Sequence, residues 1–129
     1  MVARILGAMG DAARVRDEGA LDYLSALSGS GSAYPALMAQ AMLDHARAQG
    51  LPEDIARRAV ASVLASGAAL AGQVETLGAH LDTYRGYRGI TAAGLEAAER
   101  VGFSTAVAAA LDAAGDHAAR MTREGVAGK

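Results

Sequence analysis

The chain has 129 residues, a net charge of -2 and an isoelectric point near 5.9, so no basic stripe is available for nucleic acid. It contains no cysteine, which excludes disulfides and thiolate metal sites and accords with a reducing cytoplasm. Half the residues are apolar, yet only 4% are aromatic and tryptophan is absent; the rest is Ala, Leu and Val with 16 Gly. That mixture suits helices packed closely through small residues and offers few large anchors for a β-sandwich.

Met1 to Met9 carries Arg4 but no apolar run of signal-peptide length. The greasiest stretch, Ala59 to Gly72, is interrupted by Ser62 and Ser66. It falls short of the ~20 residues that span a membrane. A soluble, cytoplasmic single domain over residues 1–129 is expected, large enough for a core of its own and without nucleic-acid or membrane partners.

In chain order, residues 3–9 read as a short helix, followed by a polar stretch to Gly19. Leu21, Leu24 and Leu27 recur at helical steps, so a helix is expected over Gly19 to Leu27. Ser28-Gly29-Ser30-Gly31-Ser32 then predicts a break, with Ser30 or Ser32 capping the next helix and Pro35 in its first turn. Leu37, Met38, Ala41, Met42 and His45 mark one face of that helix to about Gln49, where Gly50 caps and Pro52 blocks continuation. Glu53-Asp54 open a helix to about Gln73, with Ile55, Ala59, Val63 and Leu70 on one side. A weaker helix, Val74 to Tyr84, leads into the basic, glycine-flanked Arg85-Gly86-Tyr87-Arg88-Gly89. Thr91 is read as the cap of a helix to Val101, Gly102 breaks it, and Phe103 to about Glu124 forms the last helix, with Val107, Leu111 and Met121 as its larger apolar positions. The tail Gly125 to Lys129 is read as loose. No segment has both alternation and β-branched content, so the class is all-α with five to seven helices.

Leu21-Asp22, Ser25-Ala26-Leu27 and Ser28 to Tyr34 are similar to the LDAVTALSGSGPAY signature of pyrroline-5-carboxylate reductases. Gly50-Leu51-Pro52 with Ile55-Ala56-Arg57 resembles that family's GLP…IAR junction. Gly94-Leu95-Glu96 with Val101-Gly102-Phe103 resembles its GLE…GGF segment, and Ala113-Ala114 followed by Arg120 its final helix. Ile5-Leu6, Gly10 and Val15 are similar to the stretch before the signature.

The resemblance implies a fold: a helical bundle like the 6-phosphogluconate-dehydrogenase-like C-terminal dimerisation domain of these reductases. It also implies an activity, hydride transfer from NADPH or NADH to pyrroline-5-carboxylate to give L-proline. It further implies an interlocked homodimer, often gathered into a ring, and a separate Rossmann domain for the cofactor. This chain contains no strand–Gly-x-Gly-x-x-Gly–helix unit, so it is not expected to bind the cofactor alone.

By the same resemblance, Ser30 and Gly31 line the pocket beside the nicotinamide, and Gly89 and Thr91 hold the substrate carboxylate at a helix start. Thr91 is the candidate catalytic hydroxyl. The family's SPGGTT loop aligns with Gly86 to Thr91, where Tyr87, Arg88 and Ile90 bring bulk. Ser32 stands in place of the signature's proline, and Gln40 in place of the acid usual on the following helix. Two descriptions therefore stand: a substrate and dimerisation module of a reductase (of this or another cyclic imine), or a stand-alone homodimeric scaffold without the chemistry. Tyr87 and Arg88 are also read as a candidate anion or interface loop.

Blander readings accompany these. The Ser-Gly turn can serve only to reverse the chain. His45, His80 and His117 fall on separate elements without paired carboxylates, so no metal site is expected. The methionines and Tyr34 read most simply as core.

Overall fold

In the computed structural model, Arg14, Val15 and residues 17–127 are described, and they contain helices and turns but no strand. The expected helix at residues 3–9, and most of the motif before the signature, lie outside them. Asp17 opens α1 (Glu18–Leu24) by accepting from the Gly19 amide at 3.3 Å, an N-cap bond. The expected break at Ser28–Ser32 is not a break: a π-helical turn, Ser25–Ser30, continues the chain, and α2 (Ala33–Ala48) follows after two residues. The serines do not cap α2. Ser28 Oγ donates back to the Leu24 carbonyl at 2.6 Å and Ser30 Oγ to that of Ala26, so both hydroxyls are satisfied within the turn. Ser32 occupies the cap position with no side-chain bond.

Gly50, at φ +80°, ends α2 as its composition suggests, with the Leu51 amide bonded to the Ala46 carbonyl. α3 (Glu53–Ala71) returns beside α2. A 3-10 turn, Val74–Thr76, leads into α4 (Leu77–Gly86), and α5 is Ile90–Arg100. Gly102, at φ +88°, separates α5 from α6 (Phe103–Ala127). The last helix thus runs through Gly125 to Ala127, which the sequence reading assigned to a loose tail. Among the described residues no single helix is long and apolar enough to cross a membrane.

The packing divides these elements. α1 and the π-helical turn lie along α6, α4 packs on α5, and α5 meets α6; together they form the body. α2 and α3 pack on each other and have no extended packing against α4, α5 or α6. They make a two-helix arm, about 24 and 28 Å long at 1.5 Å per residue.

An ion-pair chain closes the arm's tip. Arg47 bonds Glu53 in a bidentate pair at 2.7 and 2.8 Å and reaches Asp44 at 2.8 Å, while Arg57 bonds Glu53 at 2.6 Å. Bonds from Arg47 first and Arg57 second lower the Glu53 carboxyl from 4.5 to about 2. A depressed folded pKa contributes stability that is complete above the unfolded value and is lost as pH falls from about 4.5 towards 2. Glu53→Gln is therefore expected to unfold with a shallower acid dependence than the parent in that window, and urea titrations at stepped pH would measure the difference.

Very little is buried. Among the described residues only Ala26 (4% exposed) and Ala56 (0%) are buried, and no large side chain is. The expected core of Met and Tyr34 is absent from the single chain: Tyr34 and Met38 are half-buried, while Met42 and Met121 are exposed. Leu37 is 70% exposed, and Ile55, Val63, Phe103 and Val107 are also exposed. The accessible area is 10235 Å² for 13.0 kDa. A closed monomer of that mass exposes about 6,300 Å². An allowance of ~2,500 Å² for the residues outside the description still leaves an excess of roughly 1,400 Å². Apolar helical stripes of this size call for a cover, and none is provided among the described residues.

Candidate functional site

The residues singled out from the sequence fall into two clusters. Ser30 and Gly31 sit at the foot of the arm, in and just beyond the π-helical turn. The Ser30 hydroxyl lies 3.4 Å from that of Tyr34, one helical turn on. Gly31 has no room for a side chain, because a Cβ there would run into the Leu27 carbonyl oxygen. Its conformation is ordinary right-handed helix, so the requirement is for space and not for a special φ.

Gly89 and Thr91 lie at the start of α5. Gly89 is the N-cap, in extended conformation, and Thr91 stands one residue inside the helix, so it does not cap it. An extended glycine before Ile90 already starts the helix, and Thr91 is too far along to accept from the first free amides. Tyr87 ends α4, and Arg88 follows at φ +48°. This left-handed position is the glycine-like place after a helix end, here held by a residue with a Cβ. Arg88→Gly is expected to raise stability by about 1 kcal/mol, read as a higher urea midpoint at unchanged slope. Tyr87 is 81% exposed and Ile90 94%.

Three grooves mark the described surface. One of about 450 Å³ lies between the first half of α2 and the first half of α6, walled by Tyr34, Leu37, Met38, Phe103, Val107 and Ala110. It is almost wholly apolar and suits another helix face. A second, about 620 Å³, lies between α4 and α5 and is lined by Arg85, Leu95, Glu96, Glu99 and Arg100. There Arg85 pairs with Asp82 at 3.1 Å, and Glu99 accepts from Ser104 Oγ at 2.8 and 2.9 Å. The third, about 260 Å³, is acidic, with Asp22, Asp112 and Asp116 beside Tyr23.

None of these three grooves is lined by Ser30, Gly31, Gly89 or Thr91. His80 lies 3.3 Å from the Gln73 amide and His117 beside Arg120, on separate elements. The apolar walls at Leu37, Phe103 and Val107 were visible in the sequence as helical stripes, but read as core. The Arg47–Glu53 clamp gave no local signal, because its partners sit on two helices either side of Gly50.

Fold and surface together define an all-α association domain: helices with a small internal core and large apolar faces turned outward. A family model described as pyrroline-5-carboxylate reductase dimerisation matches residues 18–121. The chain is 34% identical over 111 residues to a pyrroline-5-carboxylate reductase of Synechocystis, covering 85% of this chain and 41% of that protein. It is 32% identical over 122 residues to the enzyme of that name from Pseudomonas aeruginosa, covering 94% of this chain and 45% of that one. The chain belongs to the pyrroline-5-carboxylate reductase dimerisation family, and it spans less than half the length of these curated relatives.

Proposed function

We propose that this chain is the dimerisation and substrate-facing module of a pyrroline-5-carboxylate reductase, working as a homodimer in the cytoplasm. The observation that carries the pairing is the arm. α2 and α3 leave the body with their apolar residues uncovered, and an apolar groove opens where α2 meets α6. A second copy supplies the missing cover. An excess of roughly 1,400 Å² per chain corresponds to about 2,800 Å² in a pair, within the range of obligate homodimers.

Ser30 and Gly31 lie on a different element from Gly89 and Thr91, and none of the four lines a groove described above, which favours a pocket shared between subunits. In this reading the α5 start, with Gly89 and Thr91, offers free backbone amides to a substrate carboxylate, and Ser30 and Gly31 form the opposite wall. The hydride comes from NADPH or NADH held by a dinucleotide-binding domain, which these residues do not include. It adds to the ring carbon of the imine while the nitrogen takes a proton, giving L-proline.

A second reading, a homodimeric scaffold without this chemistry, is favoured by the α4–α5 corner. Tyr87, Arg88 and Ile90 place three large, exposed side chains where the related loop is small. Titration of L-proline into the isotope-labelled chain separates the two. Saturable amide shifts at Ser30, Gly31, Gly89 and Thr91 are expected for the enzyme module. Absence of shifts at millimolar proline would reject substrate binding and leave the scaffold.

A further inference from the structure

The Ser25–Ser30 turn is more regular than its composition suggests. Two glycines and three serines in five residues ordinarily end a helix, yet here the path stays helical through Gly31 at φ -57° and ψ -31°. The turn is held from three directions. It packs along α6, with Ala26 buried at 4% exposure. Ser28 and Ser30 return hydroxyl bonds to the Leu24 and Ala26 carbonyls, a pattern that often bends helices. The Leu27 carbonyl lies over the Cα of Gly31, in space a Cβ would need, whereas Gly29 has nothing within 4 Å of the same position. The two glycines are thus not equivalent: one is open to substitution and the other is required by the wide turn. This turn is also the point where the arm leaves the body, and its return, through Gly72 and the 3-10 turn, carries its own Thr76–Gln73 bond at 3.1 Å.

We propose that the π-helical turn is a rigid joint that sets the angle of the α2–α3 arm for engagement of a second copy, with Gly31 as its positioning residue. The engagement rests on the pairing reading above; the rigidity of the joint does not. A loop at this point would let the arm sample many directions, and pairing would then carry the entropic cost of fixing one. A helical joint removes that cost before the partner arrives.

The chain has no cysteine, so Gln49→Cys at the arm tip and Glu124→Cys on α6 give two unique spin-label sites. Labelled chain diluted into excess unlabelled chain reports the distance within one subunit. A single narrow distribution is expected in the parent and in Gly29→Ala. In Gly31→Ala the distribution should shift or broaden, and the dimer dissociation constant should rise at least tenfold with helix content retained. An unchanged distance and an unchanged dissociation constant in Gly31→Ala would overturn the proposal. Should Gly31→Ala fail to fold, amide exchange of the parent decides: protection across Leu27–Tyr34 comparable with α1 supports the joint, and rapid exchange there with a broad parent distance rejects it. A parent that stays monomeric rejects the pairing reading, while its own distance distribution still tests the joint.

Discussion

Leu37→Asp is expected to leave the single chain folded and to weaken self-association at least a hundredfold. Leu37 is 70% exposed in one protomer and forms a wall of the groove between α2 and α6. A carboxylate there remains in water as long as the chain is alone, so the unfolding midpoint of the monomer should move little. In the pair the same carboxylate is taken out of water into a groove that is almost wholly apolar. Burying an unpaired charge costs several kcal/mol, and about 3 kcal/mol suffices for a hundredfold change in affinity. Sedimentation velocity of parent and variant over a concentration series measures this. An unshifted dissociation constant would remove the groove from the interface.

Ala56→Leu tests the opposite kind of position. Ala56 is wholly buried, on the first turns of α3, with its amide bonded to the Pro52 carbonyl at 2.9 Å. Three added carbons have no space in the closely packed α2–α3 hairpin, so the helices must separate or the side chain must take a strained rotamer. Overpacking of this kind costs about 2 kcal/mol, seen as a drop of several degrees in the unfolding temperature. The loss should appear even at dilutions where the chain is monomeric. A variant as stable as the parent would show that the hairpin has slack.

Much of the helix plan was legible because helix ends are written locally. Gly50 before Pro52, and Gly102 before Phe103, take the left-handed conformation that their residue type permits, and both ends fell where the sequence placed them. At Ser28 to Ser32 the local composition points to a break, and the structure departs from it for a physical reason. Gly and Ser count against helix by intrinsic propensity, while the wide turn they form depends on contact with α6, some eighty residues on. Thr91 was misplaced as a cap because any threonine before an apolar run invites that reading. Which residue turns extended depends on the preceding corner, where Arg88 has already taken a positive φ.

The fate of the apolar stripes was not legible at all. Leu37, Met38, Phe103 and Val107 show a covered face through their spacing, but spacing does not say whether the cover is the same chain or another. The candidate site shares that difficulty. Ser30 and Thr91 rest on resemblance; they lie on separate elements and line none of the three grooves described.

In the proposed pairing, two copies complete what one chain leaves uncovered. Sedimentation equilibrium of the parent chain from high nanomolar to high micromolar concentration tests it most directly. A mass twice the 13.0 kDa of the chain, maintained through the low micromolar range, is the predicted result. A mass of one chain throughout, with cooperative unfolding whose midpoint does not depend on concentration, would contradict it.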